Sequence, residues 1–178
     1  MIVKEYKKNP IIRNDIEPLF ISAFPENERP PADIYFSSFK KDINKLYGFY
    51  DDKFVGFASL VLFKDIAYIF FLAVDDKCRN QGYGSKILSS LKEMYRDTVL
   101  LLCYEEVDER YPDNGIRKRR EAFYKRNGFI DNELKTNEFG VVFETAYIGK
   151  HKVSFEDYKE IFAIGFGKWT LSHLKKEK

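Results

Sequence analysis

The sequence is poor in the residues that metal and triad chemistries need. Its 178 residues hold two cysteines, Cys78 and Cys103, and two histidines, His151 and His173. Scattered in this way they give no structural zinc spacing, which requires ligands in close pairs. They give no disulfide framework, so a reducing compartment and a cytoplasmic location are expected. A Ser-His-Asp triad would have to draw on one of two late histidines, and no Gly-x-Ser-x-Gly elbow is present. The Gly-x-x-x-x-Gly-Lys-[Ser/Thr] loop of P-loop nucleotidases is missing. No apolar run approaches the ~18 residues that span a bilayer, and residues 1–8 lack the apolar core of a signal peptide, so no membrane partner is expected. An excess of one charge is also missing. Lys and Arg number 30 against 28 Asp and Glu, a net +2, so no strong field argues for nucleic acid and none is expected as a partner.

What is present reads as an ordinary globule, with 44% apolar and 33% charged residues and no repeat or linker to cut it. Residues 2–7 suggest an edge strand. Ile16, Leu19, Phe20 and Ala23 recur at helical spacing, with Pro18 tolerable in a first turn. After a proline-rich loop, a short helix carries Ile34, Tyr35 and Phe39. Strands at 46–50 and 54–63 flank Asp51-Asp52-Lys53 as a hairpin. Residues 66–74 are apolar on both faces, which suits a covered central strand. Gly84, Ile87, Leu88, Leu91 and Tyr95 form one helical stripe, and 99–104 is a second doubly apolar strand. Strand, helix and strand make a βαβ unit, so these two strands should be parallel. A helix over 116–127 stops at Gly128, a left-handed cap position. Strands at 129–134 and 141–148 should pair antiparallel. Ser154 caps a last helix, expected over 154–169 with a stripe of Phe155, Tyr158, Phe162, Phe166 and Trp169. The tail from Lys175 to Lys178 is expected to fray.

Chemistry concentrates at Leu72-Ala73-Val74-Asp75-Asp76-Lys77-Cys78-Arg79-Asn80-Gln81-Gly82-Tyr83-Gly84-Ser85. A buried strand runs into a loop that turns into a helix at a glycine pair. The first N–H groups of a helix lack internal partners and carry partial positive charge. Glycines let a bulky anion come close to them. Arg79 to Ser85 therefore describes a phosphate cradle, with a strand-to-helix turn that merely needs small residues as the other reading. A Rossmann site would want a third glycine where Ile87 stands.

Arg79-Asn80-Gln81-Gly82-Tyr83-Gly84 resembles the [Arg/Gln]-x-x-Gly-x-[Gly/Ala] signature of the GNAT acyl-CoA N-acetyltransferase superfamily. Phe123-Tyr124-Lys125-Arg126-Asn127-Gly128-Phe129 is similar to that family's second hallmark, Phe-Tyr-x-x-x-Gly-Phe. The resemblance covers roughly residues 1–150, with 151–178 as a C-terminal helical extension packed on the same domain. It implies a mixed α/β (α+β) fold whose mainly antiparallel sheet splays at two central parallel strands, with helices on both faces. It implies acetyl transfer from acetyl-CoA, a co-substrate, to a primary amine of a small molecule or peptide, by direct attack in a ternary complex and without a metal. Acetyl-CoA would be held by Arg79, Asn80, Gln81, Gly82, Tyr83, Gly84 and Ser85 at its pyrophosphate. Leu72, Ala73 and Val74 would line its pantetheine arm. Tyr124 matches the family's tyrosine general acid, for which a packed aromatic is the bland alternative. Glu105, at the end of the second central strand, is the first candidate for the base, directly or through a water. Cys103 reads as core rather than as a nucleophile. The oligomeric state is open, a homodimer being one option.

Where many relatives carry an asparagine that contacts pantetheine, this chain has Arg117, in the run Arg117-Lys118-Arg119-Arg120. The rival function is a non-catalytic acyl-CoA-binding sensor or interaction module on the same fold. Glu105, Glu106, Asp108, Glu109 and Asp113, with Glu26 and Glu28, suggest a cationic acceptor. Arg110, Arg117, Arg119 and Arg120 oppose that by offering the acids ion-pair partners.

Overall fold

The computed structural model describes residues 1–26 and 29–177, without the side chain of Phe166. Glu28, Lys178 and the side chain of Phe166, all invoked above, lie outside the described residues. The fold is mixed α/β, and its sheet is mostly antiparallel with one parallel pair. The strands are β1 (Ile2–Glu5), β2 (Asn44–Asp51), β3 (Lys53–Phe63), β4 (Ile66–Val74), β5 (Val99–Glu105), β6 (Ile130–Glu138), β7 (Val141–Ile148) and β8 (Leu174–Lys176). The helices are α1 (Arg13–Ala23), α2 (Ala32–Ser38), α3 (Tyr83–Met94), α4 (Asn114–Arg126) and α5 (Phe155–Phe166). Strand order is β1-β2-β3-β4-β5-β7-β6-β8.

The chain groups into two compact units, and the boundary passes through β4. One holds residues 1–62 and 69–94, the other 63–68 and 95–178. In the first unit β1, β2 and β3 pair antiparallel. Asp52, at φ 60°, makes the tight turn between β2 and β3. One face of this sheet packs Phe57, Phe71 and Ala73 against Ile16, Leu19 and Phe20 of α1 and Tyr35 and Phe36 of α2. Phe20 and Tyr35 stack with ring centroids 4.1 Å apart. The other face meets α3, whose Ile87, Leu88 and Leu91 are fully buried. Gly56 shows how closely β3 approaches its neighbour β4 and the helix above it. A Cβ built there would lie 2.3 Å from the Ala73 carbonyl oxygen and 3.0 Å from Ile87. Gly56→Ala should therefore cost about 3 kcal/mol, because backbone cannot yield as a side-chain tip can. A urea midpoint unchanged from the parent would contradict this.

In the second unit β7 lies between β5 and β6, antiparallel to both, and β8 pairs with β6. Tyr104 of β5 stacks on Tyr124 of α4, centroids 5.8 Å apart. Tyr158 of α5 packs against Tyr68, the third residue of β4. Gly128 has φ 88° as the cap expectation requires, and the Ser154 hydroxyl accepts from the Asp157 N–H at the start of α5.

Several local expectations need correction. Pro18 sits at the sixth position of α1, not in its first turn. It is exposed there, so water can reach the carbonyl it leaves unpaired. Ile34 is exposed while Tyr35, Phe36 and Phe39 carry the burial. The second half of β4 alternates, with Phe71 and Ala73 buried and Leu72 and Val74 half-buried. β6 runs to Glu138, with a register shift between Asp131 and Lys135. α5 stops at Gly167, φ 96°, and Trp169 lies on the following 3₁₀ turn, 68% exposed. The tail does not fray where it is described. Leu174 to Lys176 pair with Thr136 to Glu138 as β8, and Leu174 is buried.

Candidate functional site

The first unit carries the loop singled out in the sequence. β4 leads into a 3₁₀ turn over Asp76–Cys78, started by the Asp75 carboxylate, which accepts from the Lys77 N–H at 2.9 Å. Cys78 is buried beneath the turn. Asn80 and Gly82 then adopt φ 60° and 79°, a left-handed conformation that Asn tolerates and Gly adopts at no steric cost. Gly82 is the last residue before α3, and its carbonyl accepts the first helical bond, from the Lys86 N–H at 3.1 Å. The N–H groups of Tyr83, Gly84 and Ser85 therefore have no acceptor within the helix. A Cβ at Gly82 would meet nothing within 4 Å, so the approach to those N–H groups is open. Gln81, Gly82 and Ser85 are exposed, Tyr83 and Gly84 half-buried.

The structure thus brings Leu72, Ala73, Val74 and Arg79 to Ser85 onto one strand–turn–helix segment. Gln81 donates to the Lys77 carbonyl at 3.0 Å, closing the loop on itself. Arg79 is paired with Asp76 at 2.6 Å and exposed, so it can turn to an anion only by exchanging partners. The Tyr83 hydroxyl donates to Asp51 at 3.0 Å, and that carboxylate raises the phenol's pKa. Lys86 lies over the Tyr83 ring, 4.6 Å from its centroid, one helical turn beyond Gly82. It is a cation beside the cradle that the motif reading passed over. Its i+4 spacing from Gly82 was the available signal.

The second unit carries Tyr124 and Glu105. Tyr124 lies half-buried on α4 among the rings of Tyr104, Phe123 and Phe129. Its hydroxyl makes no hydrogen bond to another described residue. Burial pushes its pKa up to about 12, with Arg120 pulling the other way, so the phenol keeps its proton at neutral pH. Glu105 ends β5 with both carboxylate oxygens engaged. One meets Arg117 at 3.2 Å and the other Arg120.

Arg117 is the centre of this cluster, its side chain 8% exposed. It also bonds Asp113 at 2.9 Å and the Glu106 carbonyl at 3.2 Å, and lies 3.8 Å from the centroid of the Tyr111 ring. The residue that departs from the family pattern is thus committed to the acidic loop. Glu106 meets Lys135 at 2.9 Å, and Asp108 meets Arg110 at 2.9 Å. Glu109 pairs with Lys118. Every acid named in that loop has a basic partner, so the expected field for a cationic acceptor is neutralised within the unit. Glu26 belongs to the first unit and is exposed.

Cys103 belongs to a different set of buried polar groups. Its Sγ lies 2.9 Å from the Tyr68 hydroxyl, which is 3.2 Å from that of Tyr158. Tyr158 donates to Glu138 at 2.6 Å, and Thr136 donates to the same oxygen at 2.8 Å. Burial pushes the Cys103 thiol up to about 12, so it is no thiolate nucleophile. Burial also raises the Glu138 carboxyl above its usual value. The folded chain then binds this proton more tightly than the unfolded chain. Stability from this group is complete below the ordinary glutamate pKa and declines as pH rises through the folded value. Glu138→Gln should remove that decline. Urea midpoints of the two proteins should diverge with rising pH, the variant becoming the more stable. Parallel curves would show that Glu138 does not titrate abnormally.

Among the described residues no cluster of His, Cys, Asp and Glu could hold a metal, and no helix is long and apolar enough to cross a membrane. A family model for the acetyltransferase (GNAT) domain matches residues 43–131. No curated protein matches the sequence. Among solved structures, a GNAT-family protein from Bacteroides thetaiotaomicron is similar at 20% identity and a TM-score of 0.76, over 94% of this chain and 99% of that one. An aminoglycoside 6'-N-acetyltransferase complexed with coenzyme A gives 15% identity and 0.67 over 86% and 98%. The ribosomal-protein-S18-alanine N-acetyltransferase of Escherichia coli gives 16% and 0.59 over 86% and 100%. At these identities the likeness is one of fold.

Proposed function

Because the chain belongs to the GNAT family of acetyltransferases, we propose that it transfers an acetyl group from acetyl-CoA to a primary amine by direct attack within a ternary complex. The observation that carries this reading is the open cradle at the start of α3, where N–H groups without an acceptor in the helix and a glycine whose Cβ would meet nothing within 4 Å suit a pyrophosphate, with Arg79 and Lys86, each now paired with an aspartate, as cations that could turn to it. The N–H groups of Tyr83, Gly84 and Ser85 would bind its oxygens. Arg79 and Lys86 would supply charge, and the half-buried Leu72 and Val74 an apolar edge for the pantetheine arm. Acetyl-CoA brings the activated thioester. The chain's own contribution is then to orient two reactants and manage two protons.

Tyr124 would give its phenolic proton to the leaving sulfur. The amine nitrogen bonds the acetyl carbon, the C–S bond breaks with its electron pair on sulfur, and the phenolate recovers a proton from solvent. The amine's own excess proton would leave through a water to Glu105, whose oxygens keep further lone pairs beside their arginines. The acceptor class, a small-molecule or peptide amine, follows the two neighbours that act on an aminoglycoside and on a ribosomal protein.

Thiol release from acetyl-CoA, measured over a panel of polyamines, amino acids, aminoglycosides and peptide N-termini, tests the proposal. Turnover with at least one amine is expected. Tight acetyl-CoA binding without turnover across the panel would favour a sensor. No binding would remove the acyl-CoA reading altogether.

A further inference from the structure

The ion-pair cluster on α4 does more than fasten a loop. Arg117, Arg120 and Tyr124 follow one another at spacings of three and four, which puts them along one face of the helix. Glu105 sits at the head of that face, between the two arginines. Asp113 completes the set by pairing with Arg117. Two arginines and two carboxylates balance, so the group as a whole presents little net charge to its neighbour Tyr124. That balance is local. Removing Glu105 or Arg120 leaves an uncompensated charge about one helical turn from the phenol.

We propose that Arg120 is a positioning residue that acts electrostatically on the Tyr124 phenol, and that Glu105 sets how much of its positive charge the phenol feels. When Tyr124 gives up its proton, a phenolate forms in a largely apolar setting of Tyr104, Phe123 and Phe129. A guanidinium four residues away on the same face is placed to stabilise that anion. The side chain of Arg120 is 54% exposed, and its pairing with Glu105 holds it near the strand end. The pairing therefore fixes the arginine in place and also tempers it. The other titratable groups against the phenol are Cys103 and the stacked Tyr104, both from β5; Cys103 opposes ionisation, as does burial. Arg120 is the attractive partner among them.

This inference rests on the reading of Tyr124 as the acid, but its test is read on the chain alone, without acetyl-CoA or acceptor. The chain is labelled with 3-fluorotyrosine, which lowers phenol titration into an accessible range, and the ¹⁹F signal of Tyr124 is identified by its loss in Tyr124→Phe. Arg120→Gln should raise the titration midpoint by about 0.5 or more in pH, the lower end of what one neighbouring charge does at a half-exposed position. Glu105→Gln should lower it by a similar amount. Arg120→Lys should leave it near the parent value, because the charge is kept. The double variant Arg120→Gln/Glu105→Gln should lie between the two single variants. Opposite shifts of this kind support the proposal, since a merely structural role would move both variants the same way. Midpoints that do not move, or that move in the same direction, overturn it. The proposal can fail in this way while Tyr124→Phe still loses turnover, and it can hold while the acid assignment fails.

Discussion

Replacing Tyr124 by phenylalanine should lower kcat by about a hundredfold while leaving the fold and the affinity for acetyl-CoA unchanged. The ring does the packing, against Tyr104 at 5.8 Å and Phe129 at 6.0 Å, and phenylalanine keeps it. The hydroxyl makes no hydrogen bond to another described residue, so its removal leaves no orphaned partner. What is lost is a donor whose pKa is held at about 12 and which is therefore protonated wherever the enzyme would work. General acid catalysis is typically worth about 10²–10⁴-fold, and a thiolate, being a comparatively stable leaving group, places this case at the lower end. An interaction made only in the transition state lowers kcat and kcat/KM together. Steady-state kinetics, with single-turnover measurements to show that chemistry is rate-limiting, would read this directly. A kcat within twofold of the parent under those conditions would return Tyr124 to core packing.

Gly82→Asp should weaken acetyl-CoA binding by tens-fold or more, at least about 2 kcal/mol. The site has room for the side chain, since a Cβ there meets nothing within 4 Å. The left-handed φ of 79° costs Asp about 1–2 kcal/mol. The new carboxylate would sit at the N-terminus of α3, where it can accept from the free N–H groups and so recover part of that cost. The protein should thus remain folded while its cradle is filled by a fixed negative charge that repels pyrophosphate. Gly82→Ala carries the backbone cost without the charge and should lose far less affinity. Calorimetric titration of both variants checks the pair. Normal binding by a folded Gly82→Asp protein would place acetyl-CoA elsewhere.

Much of the site was legible because its signals are local. A positive φ at Gly82, free N–H groups at the start of α3 and a cap at Gly128 depend on residues adjacent in sequence. The Arg79–Gly84 and Phe123–Phe129 segments therefore point to the family without knowledge of any neighbour. Helical and strand periodicity likewise placed α3, α4 and β2 to β5 within a few residues. Lys86 was missed because the motif ends before it, although its position one turn along α3 follows from helix geometry.

The acid–base cluster was not legible in the same way. The sequence shows five acids and a basic run, which is equally compatible with an open acidic cleft. Whether they repel a substrate, attract one or neutralise each other depends on the turn that carries residues 106–113 back toward α4, and on Arg117 becoming buried there. β8, the extension of β6 to Glu138 and the Glu138–Tyr158–Tyr68–Cys103 set are similar. A lysine-rich tail pairs as a strand only because Thr136 to Glu138 offer it an edge. The amino-acid sequence by itself determined most of the helices, the hairpins, the family and the strand–turn–helix segment around Gly82, because each follows from backbone preferences and side-chain period over a few residues. Tertiary structure alone decided which charges meet and which polar groups are buried together. Those outcomes turn on distances between residues far apart in the chain, and no local preference encodes them.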